Sequence, residues 1–273
     1  MFDLHIHSIY SDGSLSPKDI VLNIKQKNLK GFSLTDHDTI DGLEEAKNYS
    51  QINNLFFIPG IEFGINFMEQ EVHILGYFID EKNTELIKLT DSLKDSRVKR
   101  IERILNKLNE LKIPITMDEL EKYKKTKFTS RTHIAMYLKE NGYTNNMKES
   151  FDKYLGEKGL AYEKKDNISI DKVVSVIKNS GGVVVLAHPF HLNDRTLKSI
   201  LGCGIDGIEV INSKHNRNDI IKFIKLSEKY HLISTSGSDC HGRYFSDRLL
   251  MGDYLCPKES IDRLKALHEL RCQ

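Results

Sequence analysis

Residues Val183-Val184-Val185-Leu186-Ala187 form an unbroken apolar, largely β-branched run that stops at His188-Pro189. A strand without polar alternation has no face for water, so it must be covered on both sides. The rest of the chain supplies the cover. Ser16 and Pro17 suit the N-cap and first position of a helix with a stripe of Ile20, Val21, Ile24 and Leu29. Strand-like runs at 3–7, 32–35, 55–63 and 71–78 mostly alternate with helical stretches, the second of which spans 39–49. This pattern predicts a parallel α/β sheet or barrel. After residue 163 the alternation resumes with a helix over 169–179 that closes at Gly181-Gly182, strands at 183–187, 205–211 and 232–237, and helices at 218–230 and 258–270.

The middle of the chain is different. Leu86, Leu89, Leu93, Ile101, Ile104, Leu105, Leu108 and Leu111 recur at helical spacing, and further helical segments cover 118–125, 131–140 and 148–155. No strand-like run interrupts them. The expectation is an all-helical insertion over 84–163, dividing a barrel made of 1–83 and 164–273. At 273 residues the chain can bury a substantial core, and its net charge of +1 gives no global field for nucleic acid or membrane. The four cysteines lack C-x-x-C spacing, which fits neither a disulfide framework nor a zinc ribbon. No signal peptide precedes Phe2, and no apolar run approaches membrane-spanning length. A cytoplasmic protein without an obligate protein partner is expected.

Polar residues gather at strand ends. His5 and His7 are two apart on a strand, so both imidazoles point to one side while Leu4 and Ile6 point to the other. Taken alone, the pair is as consistent with one structural and one exposed histidine as with metal binding. Asp12 lies just beyond, beside Gly13, which offers freedom for a sharp bend. His37, Glu62, His188, Asp239 and His241 also fall at or past strand carboxyl ends, and His73 lies early in its own strand. In a parallel barrel those ends share one face, where active sites form. A buried cluster of imidazoles and carboxylates on this scale needs cations to hold it together.

The segments HIHSIYSDG (5–13), LTDHDT (34–39), PGIEF (59–63), HILGY (73–77), AHP (187–189) and GSDCHG (237–242) resemble, in order, those of the PHP (polymerase and histidinol phosphatase) family of metal-dependent phosphoesterases. The helical stretch with Arg131-Thr132-His133 is similar to a subgroup that includes nucleoside 3',5'-bisphosphate phosphatases and enzymes trimming oligonucleotides from the 5' end. The resemblance implies a distorted (β/α)7 barrel holding two or three divalent ions (manganese, iron or zinc). It implies one ion on His5, His7, Glu62 and Asp239, and a second on Glu62, His73 and His188. A third would sit among Asp12, His37 and His241. Hydrolysis would proceed through metal-bound hydroxide held by Glu62, Asp12, His37 and His241. The substrate would be a small phosphorylated metabolite, foremost a nucleoside 3',5'-bisphosphate. The alternatives are 5'→3' exonuclease action on short RNA or DNA, histidinol-phosphate hydrolysis, and a non-catalytic metal-binding module.

The remaining candidates have two readings each. Asp36 and Asp38 either orient neighbouring ligands or cap the following helix. Arg131 and His133, near a helix start capped by Thr129 or Ser130, suit a second substrate phosphate, or form an ordinary solvated helix start. His215, after the strand end at 209–212, is placed for substrate contact or a general-acid role, or for plain surface exposure. Arg97, Arg100 and Arg103 make the best local basic patch on a face that is otherwise a solvated one.

Overall fold

In the computed structural model, residues 1–123, 126–127, 129–242, 244–245 and 248–273 are described. They divide into two compact units, one of Met1–Thr90 with Asn167–Gln273 and one of Asp91–Asp166.

The first unit is built on a seven-stranded sheet whose spatial order follows the chain: β1 (Phe2–Asp3), β2 (Gly31–Leu34), β3 (Phe56–Phe67), β4 (Gln70–Tyr77), β5 (Val183–Leu186), β6 (Gly207–Asn212) and β7 (Ile233–Gly237). The sheet curls into a nearly closed barrel. Leu4 N–H donates to Ser236 O at 3.4 Å, His7 N–H to Cys240 O at 2.9 Å and Cys240 N–H to His5 O at 3.3 Å, joining the first segment to the last. Gly237 makes the join possible: a Cβ there would lie 2.3 Å from the Cβ of His5.

The helices α1 (Pro17–Gln26), α2 (Leu43–Ile52), α7 (Ile170–Asn179), α8 (Asp194–Leu201), α9 (Arg217–Lys229) and α10 (Lys258–Arg271) belong to the same unit. Ser16 caps α1 by accepting from Asp19 N at 3.1 Å, and Ser169 caps α7 by accepting from Lys172 N. The apolar face of α7 (Ile170, Val173, Val174, Val176, Ile177) is buried, and α7 packs on β5, every residue of which is also buried. Each such aliphatic side chain contributes about 1.5–3 kcal/mol by leaving water. The helix expected at 39–49 begins only at Leu43, after Gly42.

The expectation of parallel strands fails at β4, which is antiparallel to both β3 and β5. The cause is local. Met68 and Glu69 both adopt positive φ (50° and 63°), the geometry of a two-residue hairpin turn, so β3 folds straight back as β4 with no helix between them. The barrel interior packs Leu4, Ile58, Leu75, Tyr77, Val183, Val185 and Ala187 together, and the Tyr77 hydroxyl donates to Leu4 O at 3.0 Å.

The second unit is helical in its described residues and has its own core. α3 (Thr84–Glu110) contributes Ile101, Ile104, Leu105 and Leu108, and α4 (Met117–Glu121) contributes Leu120. α5 (Arg131–Glu140) adds Ile134, Ala135 and Leu138. The short α6 (Met147–Ser150) runs into a π-helical turn over Phe151–Leu155 that carries the buried Tyr154 and Leu155. Lys125, the end of the helix expected at 118–125, lies outside the described residues. Among the described residues, no helix is long and apolar enough to cross a membrane.

Candidate metal centre

β1 is shorter than the sequence indicates, but His5-Ile6-His7 continues in extended form because Ile6 bridges Cys240 in parallel. Leu4 and Ile6 are therefore buried in the core, while both histidines reach one space. Gly13 is needed there for room and not for an unusual φ, since a Cβ at this position would lie 2.3 Å from His7 O.

Glu62 is the hub. Its Oε2 lies 3.3 Å from His5 Nε2, 3.2 Å from His7 Nε2 and 3.1 Å from His37 Nδ1. Its Oε1 lies 3.0 Å from His73 Nδ1 and 3.1 Å from His188 Nε2. Asp239 Oδ1 approaches His5 Nε2 at 3.5 Å and His7 Nε2 at 3.2 Å, and Asp12 Oδ1 approaches His241 Nε2 at 3.1 Å. His73 lies in the amino-terminal half of its strand, yet it reaches this rim because β4 runs backwards. It pairs with Gly64 across the hairpin and its carbonyl accepts from Ala187 N at 3.0 Å, next to His188. His188 (φ 23°) and Asp239 (φ 53°) hold left-handed backbone conformations that non-glycine residues rarely adopt. Strain of this kind persists where the surrounding structure enforces it, commonly at functional sites.

The donor atoms gather into three overlapping groups: His5, Glu62, His188 and Asp239; His7, Asp12, His37 and His241; and His37, Glu62 and His73. These groups cut across the partition implied by the resemblance at His7, His37 and His188, and His37 belongs to two of them. His7 Nδ1 faces Asp12 Oδ1 at 3.9 Å while its Nε2 stays 3.2 Å from Glu62 Oε2 and from Asp239 Oδ1, and His188 groups with His5. The set fits cations well. His5 Nε2, His7 Nε2, Asp12 Oδ1 and Glu62 Oε2 are buried and crowd against ionisable neighbours, yet none makes an aligned hydrogen bond. Unpaired buried polar atoms are costly, so several converging on one space require a ligand to satisfy them.

The electrostatics carry the same message. Burial disfavours a charged His7, but the carboxylates of Asp239 and Glu62 close to its ring override it and raise its pKa to about 10. His73 rises to about 9 against burial, through Glu62 and Glu71. His37 is driven down to about 3, chiefly by burial. Burial opposes ionisation of Glu62 and Asp239, yet the surrounding imidazoles hold both carboxyls well below their usual range.

The residues behind these donors brace them. Asp36 accepts from Ser8 N at 2.7 Å and from the hydroxyls of Ser8 and Ser11, which fixes the turn leading from His7 to Asp12. Asp38 accepts from Gly64 N at 3.3 Å, opposite His73. Sequence reasoning missed two residues. Glu209, fully buried, holds His5 Nδ1 at 3.1 Å and accepts from His188 N at 2.9 Å. Lys214 brings its ammonium against Asp239 Oδ2. A lone glutamate within the otherwise apolar run Ile208–Ile211 was the available signal for the first; a lysine after a strand end carries none.

His215 does not lie in this donor set. Its Nδ1–H donates to Val210 O at 2.8 Å and its ring packs 4.9 Å from that of Phe223. In the helical unit, Ser130 and not Thr129 is the N-cap of α5. Ser130 N–H donates to His133 Nδ1 at 2.9 Å. Arg131 donates to Leu155 O at 3.1 Å, with its guanidinium 5.8 Å from the centre of the Phe151 ring. Arg100 and Arg103 both reach Glu163, through its carbonyl at 2.9 Å and its carboxylate at 3.0 Å.

Residues 3–167 match the PHP domain. The chain is 30% identical over 246 residues to a 3',5'-nucleoside bisphosphate phosphatase of Chromobacterium violaceum, covering 88% of this chain and 86% of that protein. It is 29% identical over 246 residues to a 5'-3' exoribonuclease of Haemophilus influenzae, covering 88% and 89%. A crystal structure from Bifidobacterium adolescentis, described as a metal-dependent phosphoesterase, superposes with a TM-score of 0.84 at 26% identity, covering 97% and 96%. The barrel with its histidine–carboxylate rim is that of the metal-dependent phosphoesterases, hydrolases of phosphate ester bonds. The chain belongs to the PHP domain family.

Proposed function

We propose that the protein hydrolyses a phosphate monoester of a small phosphorylated metabolite, foremost the 3'-phosphate of a nucleoside 3',5'-bisphosphate. The observation that carries this reading is the convergence of nine histidine, aspartate and glutamate side chains on one rim, in a chain 30% identical to a protein named for that reaction. In this reading two or three divalent ions (manganese, iron or zinc) are held by His5, His7, Asp12, His37, Glu62, His73, His188, Asp239 and His241. Bound there, they neutralise charge on a phosphoryl group and lower the pKa of an attacking water. Glu62 shares its two oxygens among the groups, and Asp36 and Asp38 keep the donors in register. Lys214, beside Asp239, adds a cation for a phosphoryl oxygen. Arg131 and His133 are assigned to the substrate's other phosphate, supported by the anion preference of a helix N-terminus and the fork of a guanidinium. The four cysteines are free, which supports a reducing cytoplasm.

A second reading, 5'→3' trimming of short oligonucleotides, is favoured by the Haemophilus influenzae relative. Long polymers are disfavoured by the net charge of +1 and by the engagement of Arg100 and Arg103 with Glu163. The test is phosphate release by protein of measured metal content from a nucleoside 3',5'-bisphosphate, a 5'-phosphorylated oligonucleotide and histidinol phosphate at matched salt. The bisphosphate should be turned over best, and Asp239→Asn should abolish hydrolysis and lower bound metal. Full activity of Asp239→Asn would overturn the assignment, and a preference for the oligonucleotide would favour the second reading.

A further inference from the structure

We propose that Phe190 is the surface on which the base of a nucleotide substrate stacks, with His191 and His215 as the residues that position its ring. The inference rests on the nucleotide reading above and names a contact that the metal rim does not provide. Phe190 is two residues beyond His188, in the short turn Pro189–His191, so its Cα is within about 7.6 Å of that of His188. It is 43% exposed. Among the described residues, Phe56 and Tyr230 are the other exposed aromatics. Phe56 starts β3 and Tyr230 precedes β7, so both belong to the amino-terminal ends of parallel strands, away from the metal rim. Phe190 follows a carboxyl end.

The ring is also held. His191 meets it edge-on at 5.1 Å and 71°, and His215 at 6.3 Å and 61°. Neither support is loose. The ring of His191 is fastened through Nε2 to Glu71 O at 2.7 Å. His215 is tied to Val210 O and backed by Phe223 at 4.9 Å. His215 Nε2 is buried without a partner, which suits a ring used for its faces and not for proton transfer. A side chain fixed from two loops while almost half exposed has already lost the rotamer freedom that binding would otherwise cost. The loop that carries His215 also carries Lys214, paired with Asp239. The contact between Phe190 and His215 thus links the exposed ring to the cation beside the metal donors, which is where a nucleotide needs to be held at both base and phosphate.

Stacking of a base on an aromatic side chain is sequence-tolerant, and its loss is expected to cost on the order of tenfold in affinity. The chain contains no tryptophan, so Phe190→Trp would carry a single indole whose fluorescence reports the contact. In metal-loaded protein, a nucleoside 5'-monophosphate should quench that indole saturably and ribose 5-phosphate should not. In kinetics, Phe190→Ala should raise KM for a nucleoside bisphosphate about tenfold more than for a phosphorylated sugar lacking the base. His215→Ala should share part of that selectivity loss, and His215→Phe should restore it. Equal quenching by both ligands, or an equal KM change for both substrates, would overturn the inference. If the indole responds to the base but the wild-type protein releases no phosphate from nucleotides, the stacking contact stands and the assigned reaction falls. If nucleotides are hydrolysed without base discrimination, the reaction stands and the stacking contact falls.

Discussion

Glu209 Oε1 lies 3.1 Å from His5 Nδ1 inside the barrel, and its Oε2 accepts the backbone N–H of His188 at 2.9 Å. One carboxylate thereby sets the tautomer of one donor histidine and the backbone of another, leaving His5 Nε2 aimed at Glu62 and Asp239. Partners of this kind, one step behind a metal ligand, typically carry about 10- to 100-fold in metal affinity. Glu209→Gln should weaken metal binding on the order of tenfold, and Glu209→Ala more, with helical content unchanged. Competition against a chelating dye gives the affinity; unchanged values in both variants would remove Glu209 from the centre.

Lys214 neutralises Asp239, whose side chain is only 2% exposed. In metal-free Lys214→Met the carboxylate loses this counter-ion, so the apoprotein should melt earlier than wild type, whereas metal-loaded proteins should differ little. If the ammonium also meets the substrate phosphoryl group, KM should rise on the order of tenfold, the usual scale of a charge-assisted hydrogen bond. Thermal scans with and without metal, paired with KM, separate the two roles.

The raised pKa values of His7 (about 10) and His73 (about 9) make a pH prediction for the metal-free protein. Protonated imidazoles bind the carboxylates only in the folded state. Their stabilisation is therefore complete below the unfolded value of about 6.5 and is lost as pH rises through about 9 and 10. The apoprotein midpoint should fall across that window. Metal binding requires the neutral rings, so loading should release protons, weaken toward acid, and remove the alkaline decline. An apoprotein midpoint that climbs between pH 7 and 10 would contradict this account.

Arg131 lies at the first position of α5. If it holds the phosphate that is not hydrolysed, Arg131→Ala should raise KM for a bisphosphate by roughly tenfold more than for the corresponding monophosphate. Equal effects on both substrates would assign Arg131 to its bond with Leu155 O alone.

Much of the barrel was legible because periodicity is a local property. The run 183–187 needed only its own residues to declare a doubly covered strand, and the stretch 169–179 to declare a helix; that this helix is the one that packs on the strand came from the structure. The direction of β4 was not legible, since two turn residues at positive φ decided it and Met68-Glu69 is not a typical hairpin turn pair. Nor was the part played by Phe190, because exposure beside a metal rim depends on what packs around a side chain and not on its neighbours in the chain.

The sequence by itself determined that His5, His7, Asp12, His37, Glu62, His73, His188, Asp239 and His241 would stand at or near strand ends, and ordered motifs tied them to one family. Only the tertiary structure decided that Glu62 meets five imidazoles, that His7 stands between Asp12 on one side and Glu62 and Asp239 on the other, and that Glu209 and Lys214 brace the donors. The physical reason is that barrel closure and the reversal of β4 bring together donors far apart in the chain, such as His5 and Asp239 at 3.5 Å, and distances of that kind are a property of the closed barrel, not of the residues' identities.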